Sequence, residues 1–92
     1  MNIQLKNWSF SMVHDKSPGR AVIPVLQGNV YGHPNKRHHD GKFIKTSEIV
    51  GKRNGLVVTK ANHEYELLTI ESGYEKLFPD SKNRLLKQLD EV

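Results

Sequence analysis

Gly28–Val50, GNVYGHPNKRHHDGKFIKTSEIV, reads as two β-strands joined by a polar loop, and the rest of the chain is arranged around it. β-rich residues run from Ala21 to Tyr31, with Pro24 marking an edge position and Gly28 a bend. Gly32 to Gly41 is the loop: Pro34 stiffens its entry and Asp40-Gly41 closes it. Lys42 to Lys52 is then a third strand. The loop holds His33, His38 and His39 together with Lys36 and Arg37, so a functional surface is expected here.

Upstream, Ile3 and Leu5 alternate, and Trp8, Phe10 and Met12 alternate in the opposite phase. A period of two that slips by one residue predicts a strand with a bulge near Lys6–Asn7. His14 to Arg20, HDKSPGR, gathers turn formers and reads as a turn or mobile loop. Downstream, Asn54-Gly55 is the strongest local signal, because a type I′ turn needs positive φ at both central positions. Leu56–Lys60 returns antiparallel, Ala61-Asn62 turns again, and His63–Ile70 forms a further strand with Tyr65 and Leu67 on one face. Ser72 with Glu75 reads as a capping box for a short helical turn that Pro79 ends. Asp80 or Ser81 caps a second helix, which presents Leu85, Leu86, Leu89 and Val92 along one side. That helix is too short to be stable alone and should dock on the sheet. The expected fold is therefore a single mainly β domain over 1–92: a small curled antiparallel sheet or SH3-like barrel of about five strands over 1–70, with a short helical tail over 72–92. Trp8 and Phe10 read as core residues.

With 92 residues there is room for one core only. The hydrophobic share of 36% makes that core small, so contacts with a partner are expected to contribute to stability. There is no cysteine, which excludes disulfides, thiolate zinc sites and cysteine nucleophiles. The opening MNIQLKNWSF has no basic region followed by a long apolar run, and no apolar run could span a bilayer, so a cytoplasmic protein is expected. The formal charge of +4 is unevenly spread: residues 36–60 carry a net +5 and residues 61–92 a net −3. Such a field draws polyanions or an acidic protein surface to the middle of the chain. Its plain alternative is a solvated hairpin whose lysines discourage edge aggregation.

The combination of LKNWS (Leu5–Ser9), GNVYGHP (Gly28–Pro34), DGKFIKTSEIV (Asp40–Val50) and Tyr74–Leu86 with its Phe78-Pro79 and Arg84-Leu85-Leu86 resembles a family of small uncharacterised bacterial proteins. The likeness covers most of the chain and implies a bacterial or prophage origin and a one-domain protein. It implies no catalytic residue. In the family the loop is shorter and carries an aromatic residue, whereas here it reads NKRHH, so the basic character belongs to this member.

Four chemistries fit the residue types. His33, His38, His39 and Asp40 are ligand types for zinc, nickel or copper. Their spacing matches no metal motif, however, and Lys36 and Arg37 place positive charge beside any cation, so no metal or other cofactor is expected. Thr46-Ser47 near histidines offers nucleophile and base, but without a nucleophile elbow these hydroxyls read as strand and turn donors, and no enzyme activity is expected. Lys36, Arg37, Lys42, Lys45, Lys52, Arg53 and Lys60 could meet phosphates, with Tyr31, Phe43 and His38 stacking on bases, as in small nucleic-acid-binding barrels. The favoured expectation is a non-enzymatic module, a bacterial accessory protein or phage-derived inhibitor, that docks on an acidic protein surface. Its contact residues are His33, Lys36, Arg37, His38, His39, Lys42, Lys45, Lys52, Arg53 and Lys60, and pairing of two copies into a dimer is a further use of the strand edges.

Overall fold

The computed structural model describes residues 3–14, 19 and 22–92. Among the described residues there are six strands, β1 (Ile3–His14), β2 (Val22–Tyr31), β3 (Phe43–Lys45), β4 (Ile49–Arg53), β5 (Leu56–Thr59) and β6 (Glu64–Leu67), followed by helices α1 (Ser72–Leu77) and α2 (Ser81–Gln88). They form one sheet in the order β3-β2-β1-β6-β5-β4, curled but not closed into a barrel. The mainly β fold with a helical tail is thus as expected. The sheet is mixed rather than wholly antiparallel, because β1 and β6 run parallel with Ile3 beside Tyr65 and Leu5 beside Leu67.

β1 and β2 form the long hairpin on which the sheet is built. Their register slips between Lys6 and Ser9, where Asn7 takes a φ of 51°, so the bulge lies where the phase change placed it. Asn7 and Trp8 together face the single residue Gly28, and a Cβ there would lie 2.8 Å from the Lys6 carbonyl oxygen. Gly28 therefore provides close approach of two backbones as much as a bend. Pro24 sits opposite Met12 in a part of β2 that β3 does not reach, since β3 pairs only with Gln27–Asn29. Its missing N–H is tolerated on that open side. The turn expected between His14 and Arg20 lies largely outside the described residues.

The single strand expected over Lys42–Lys52 is instead two, β3 and β4, separated by Thr46–Glu48. Thr46 explains the break. Its backbone N–H donates to the Leu26 carbonyl (2.8 Å), while its Oγ1 accepts the Leu26 N–H (3.0 Å) and donates to the Ser47 carbonyl (2.8 Å). The hydroxyl substitutes for a strand partner and turns the chain away from β2. The Glu48 carbonyl then accepts the Lys60 N–H (2.8 Å), and the chain continues against β5. Asn54 and Gly55 have φ of 53° and 78°, the two positive values a type I′ turn requires, and they join Arg53 to its partner Leu56.

Inside the curl lie Ile3, Leu5, Trp8, Leu26, Val30, Ile44, Ile49, Val57, Tyr65 and Leu67, all buried. Burying each large apolar side chain stabilises by roughly 1.5–3 kcal/mol, which makes this cluster the main source of stability. Trp8 is fully buried as expected, while Phe10 is only partly buried at the edge of the cluster.

The helical tail closes one end of that core through Tyr74, Leu85, Leu86 and Leu89. Glu71, rather than Ser72, caps α1: its carboxylate accepts the N–H groups of Gly73 (3.0 Å) and Tyr74 (2.7 Å), which hold its pKa below the ordinary range. A carboxylate offers two acceptor oxygens where serine has a single hydroxyl oxygen, and Glu71 stands one residue earlier than the expected box. Asp80 occupies the cap of α2 in the left-handed region, with its Oδ1 accepting from Asn83 Nδ2 (2.7 Å). Past α2 the chain lies along β4: Lys52 N–H donates to the Asp90 carbonyl (2.9 Å) and Val92 N–H to the Lys52 carbonyl (3.0 Å), while Lys52 Nζ donates to the Leu86 carbonyl of α2 itself (2.6 Å). One edge of the sheet is thereby covered.

Candidate functional site

The pairing of β1 with both β2 and β6 decides where the loop goes. β2 runs antiparallel to β1 and places Tyr31 opposite Gln4, while β6 runs parallel to β1 and places Tyr65 beside Ile3. The end of β2 and the start of β6 therefore flank the start of β1. His33, two residues beyond Tyr31, meets His63, two residues before Tyr65, with ring centroids 4.7 Å apart and edge-to-face. His38 also packs on His33, at the same 4.7 Å, and Tyr65 lies 6.3 Å from His33. Beside these rings is a groove of about 640 Å³ whose polar wall includes His33, His63, Arg53 and Glu64. Arg53 reaches Glu64 across it at 2.8 Å and donates from Nε to the Val92 carbonyl (3.1 Å).

Above the rings, residues 32–42 are held by their own polar groups. Asp40 Oδ1 accepts the Gly32 N–H (2.9 Å) and closes the loop across its neck. His33 Nδ1 accepts the Asn35 N–H (3.0 Å), Asn35 Oδ1 accepts the Arg37 N–H (2.9 Å), and the Asn35 carbonyl accepts the His38 N–H (2.9 Å). Lys42 Nζ donates to the Arg37 carbonyl (3.0 Å). At the exit, Gly41 N–H donates to the Val30 carbonyl (2.7 Å) and Asn29 Nδ2 to the Gly41 carbonyl (3.1 Å).

The ten residues expected at the contact surface divide by role. Lys36, Arg37, His39 and Lys42 are exposed on the loop and its exit. His33 and His38 are half-buried on its underside, and His38 Nδ1 is buried with no hydrogen-bond partner among the described residues. Lys45 and Lys60 are exposed beside the Thr46–Glu48 linker, at the far end of β3. Lys52 and Arg53 are half-buried and committed to the C-terminal segment and to Glu64. Of the aromatics considered for base stacking, Phe43 is 56% exposed, Tyr31 lies under Lys6 Nζ at 5.0 Å, and His38 is packed on His33. Thr46 and Ser47 use their hydroxyls within the fold, Ser47 Oγ accepting the Ala61 N–H (3.2 Å).

His63, Asn35 and Asp40 complete this arrangement. His63 is thirty positions from His33, and only the parallel β1–β6 pairing brings the two together, so no local pattern points to it. Partial burial first, and then the neighbouring His63 and His38, hold the His33 imidazole below its ordinary range. Burial raises the Tyr65 phenol to about 12. A backbone N–H donated to His33 Nδ1 places the ring proton on Nε2, so this nitrogen is a donor and not a free ligand. Among the described residues no group of three or more His, Cys, Asp or Glu side chains could hold a metal ion, and no helix is long and apolar enough to cross a membrane.

No protein-family model matches the chain, and neither a curated protein nor a solved structure gives a significant match.

Proposed function

We propose that the protein is a non-enzymatic binding module that docks on an acidic surface of a protein partner through residues 33–42. The observation that supports this most is the loop itself: its backbone is fastened by Asp40, His33 and Asn35, while Lys36 and Arg37 stand exposed at its tip. Pre-ordered cations lower the entropic cost of association and steer the encounter. Lys52 and Arg53 leave the contact set in this reading, because their donors already serve the C-terminal segment and Glu64. Lys45 and Lys60 are exposed beside the Thr46–Glu48 linker and not on the loop.

The nucleic-acid reading keeps one specific support, exposed Phe43 between Lys42 and Lys45. It draws on the same field, so one experiment separates the two. Replacing Lys36 and Arg37 together by Glu should leave the melting temperature within a few degrees, since surface changes of this kind cost within about 0.5 kcal/mol each. The double variant should lose roughly tenfold or more of its affinity for a cross-linked protein partner, and the wild-type affinity should fall as salt rises. Unchanged capture of that partner by the variant refutes the docking surface. Retention of wild-type protein on single-stranded DNA or RNA at low salt, lost in the same variant, favours the nucleic-acid reading instead.

A further inference from the structure

We infer that His33 is an acid-sensitive latch: as a neutral imidazole it holds the basic loop shut against β6, and on protonation it releases the loop. The geometry carries the argument. His33 Nδ1 accepts the Asn35 N–H at 3.0 Å, and an imidazolium has no lone pair to accept it. Protonation would therefore set two N–H donors against each other at that distance. Asn35 is also the residue from which the rest of the loop hangs, since its Oδ1 holds the Arg37 N–H and its carbonyl the His38 N–H.

The surroundings offer a new cation at His33 little compensation. Its nearest neighbours are two other bases, His38 in the loop and His63 before β6, each 4.7 Å away. Glu64 is drawn to Arg53 at 2.8 Å, Tyr65 presents a neutral phenol whose pKa burial raises further, and Asp40 is engaged with the Gly32 N–H. Lys36, Arg37 and Lys42 add more positive charge along the same loop. The sign follows directly. The unfolded or released imidazole titrates near its ordinary value of 6.5, while the docked ring resists protonation. The closed loop is then fully stable above pH 6.5 and loses stability as pH falls from there through the lowered docked value.

The latch regulates the surface assigned above and rests on that reading only for its biological consequence; loop opening itself needs no partner. The test follows backbone ¹⁵N relaxation at Asn35, Arg37 and His38, together with the His33 ring titration, between pH 8 and about 4.5. Three chains are compared: wild type, His33→Asn and His33→Ala. Asparagine places a non-titrating oxygen where Nδ1 sits and can accept the N–H two residues on, as in an Asx turn. In wild type the order parameters should fall from about 0.8 to below about 0.6 as His33 titrates, with β1 and β5 amides unchanged. His33→Asn should stay ordered throughout, and His33→Ala should be loose at every pH. Equal acid-induced loosening in His33→Asn, or a wild-type loop that stays ordered once His33 is protonated, overturns the latch. A loop that opens as described in a protein that binds no acidic partner keeps the latch and removes the docking function.

Discussion

Replacing Trp8 with alanine should cost about 3–5 kcal/mol, the range for deleting a buried aromatic side chain. Trp8 is fully buried at the bulge of β1, its ring lies 6.3 Å from that of Tyr74, and its Nε1 donates to the Leu68 carbonyl at 3.3 Å. Its backbone also pairs with the segment after β6: the N–H donates to the Thr69 carbonyl (3.1 Å) and the carbonyl accepts the Glu71 N–H (2.9 Å). The side chain thus fills the space between the sheet and α1, and truncation leaves a cavity there with the Leu68 carbonyl unpaired. Domains of this size have total stabilities of roughly 5–15 kcal/mol, so the loss is a large share. At about 4–8 °C per kcal/mol, the midpoint followed by circular dichroism should fall by at least about 12 °C. Trp8→Phe keeps a ring against Tyr74 and should cost less than half as much. An alanine variant that melts within about 3 °C of wild type would show that α1 does not depend on Trp8.

Gly28→Ala should be strongly destabilising for the addition of a single methyl group. The added Cβ would lie 2.8 Å from the Lys6 carbonyl oxygen, 3.0 Å from Trp8 Cα and 3.1 Å from Leu5 Cγ. Two of these three atoms are backbone of the bulge, which cannot swing aside as a side-chain tip can. Relief would require parting β1 from β2 where Trp8 enters the core, at a cost of about 2–3 kcal/mol or more. Gly55→Ala is the matched control. Gly55 has a φ of 78° but nothing within 4 Å of its Cβ position, so the cost there is only the roughly 1–2 kcal/mol of placing a side chain in the left-handed region. Urea denaturation of both variants compares them directly. A Gly28→Ala protein as stable as Gly55→Ala or more so would contradict the close approach of β1 and β2.

What could be read from the sequence was local. The slip of phase between Leu5 and Trp8, the Asn54-Gly55 turn and the Tyr65–Leu67 alternation each depend on neighbours a few residues apart, and each is found where it was expected. The division of Lys42–Lys52 into β3 and β4 was not legible, because Thr46 is a good strand residue and only its bond to Leu26, twenty positions away, makes it a turning point. The same holds for the cap of α1, where Ser72–Glu75 imitates a capping box and Glu71 does the capping. The loop was legible as basic and histidine-rich, but the division of labour within it was not. His33 faces inward because the parallel pairing of β1 with β6 supplies His63 and Tyr65 beside it, and His38 packs on His33 in turn. Lys52 and Arg53 are half-buried and hydrogen-bonded because α2 and the C-terminal segment return along β4.

The central claim is that the fastened loop at residues 33–42 is the surface by which this protein meets an acidic partner. Amide chemical shifts of ¹⁵N-labelled protein, followed during titration with a glutamate-rich peptide at pH 7.5 and low salt, test it most directly. The account predicts perturbations concentrated at residues 33–42, abolished by 1 M salt, where charges more than about 3 Å apart are screened. A lysine-rich peptide of the same length should leave those residues unmoved. No perturbation at low salt, or a footprint centred on α1 and α2 with the loop unaffected, would contradict it.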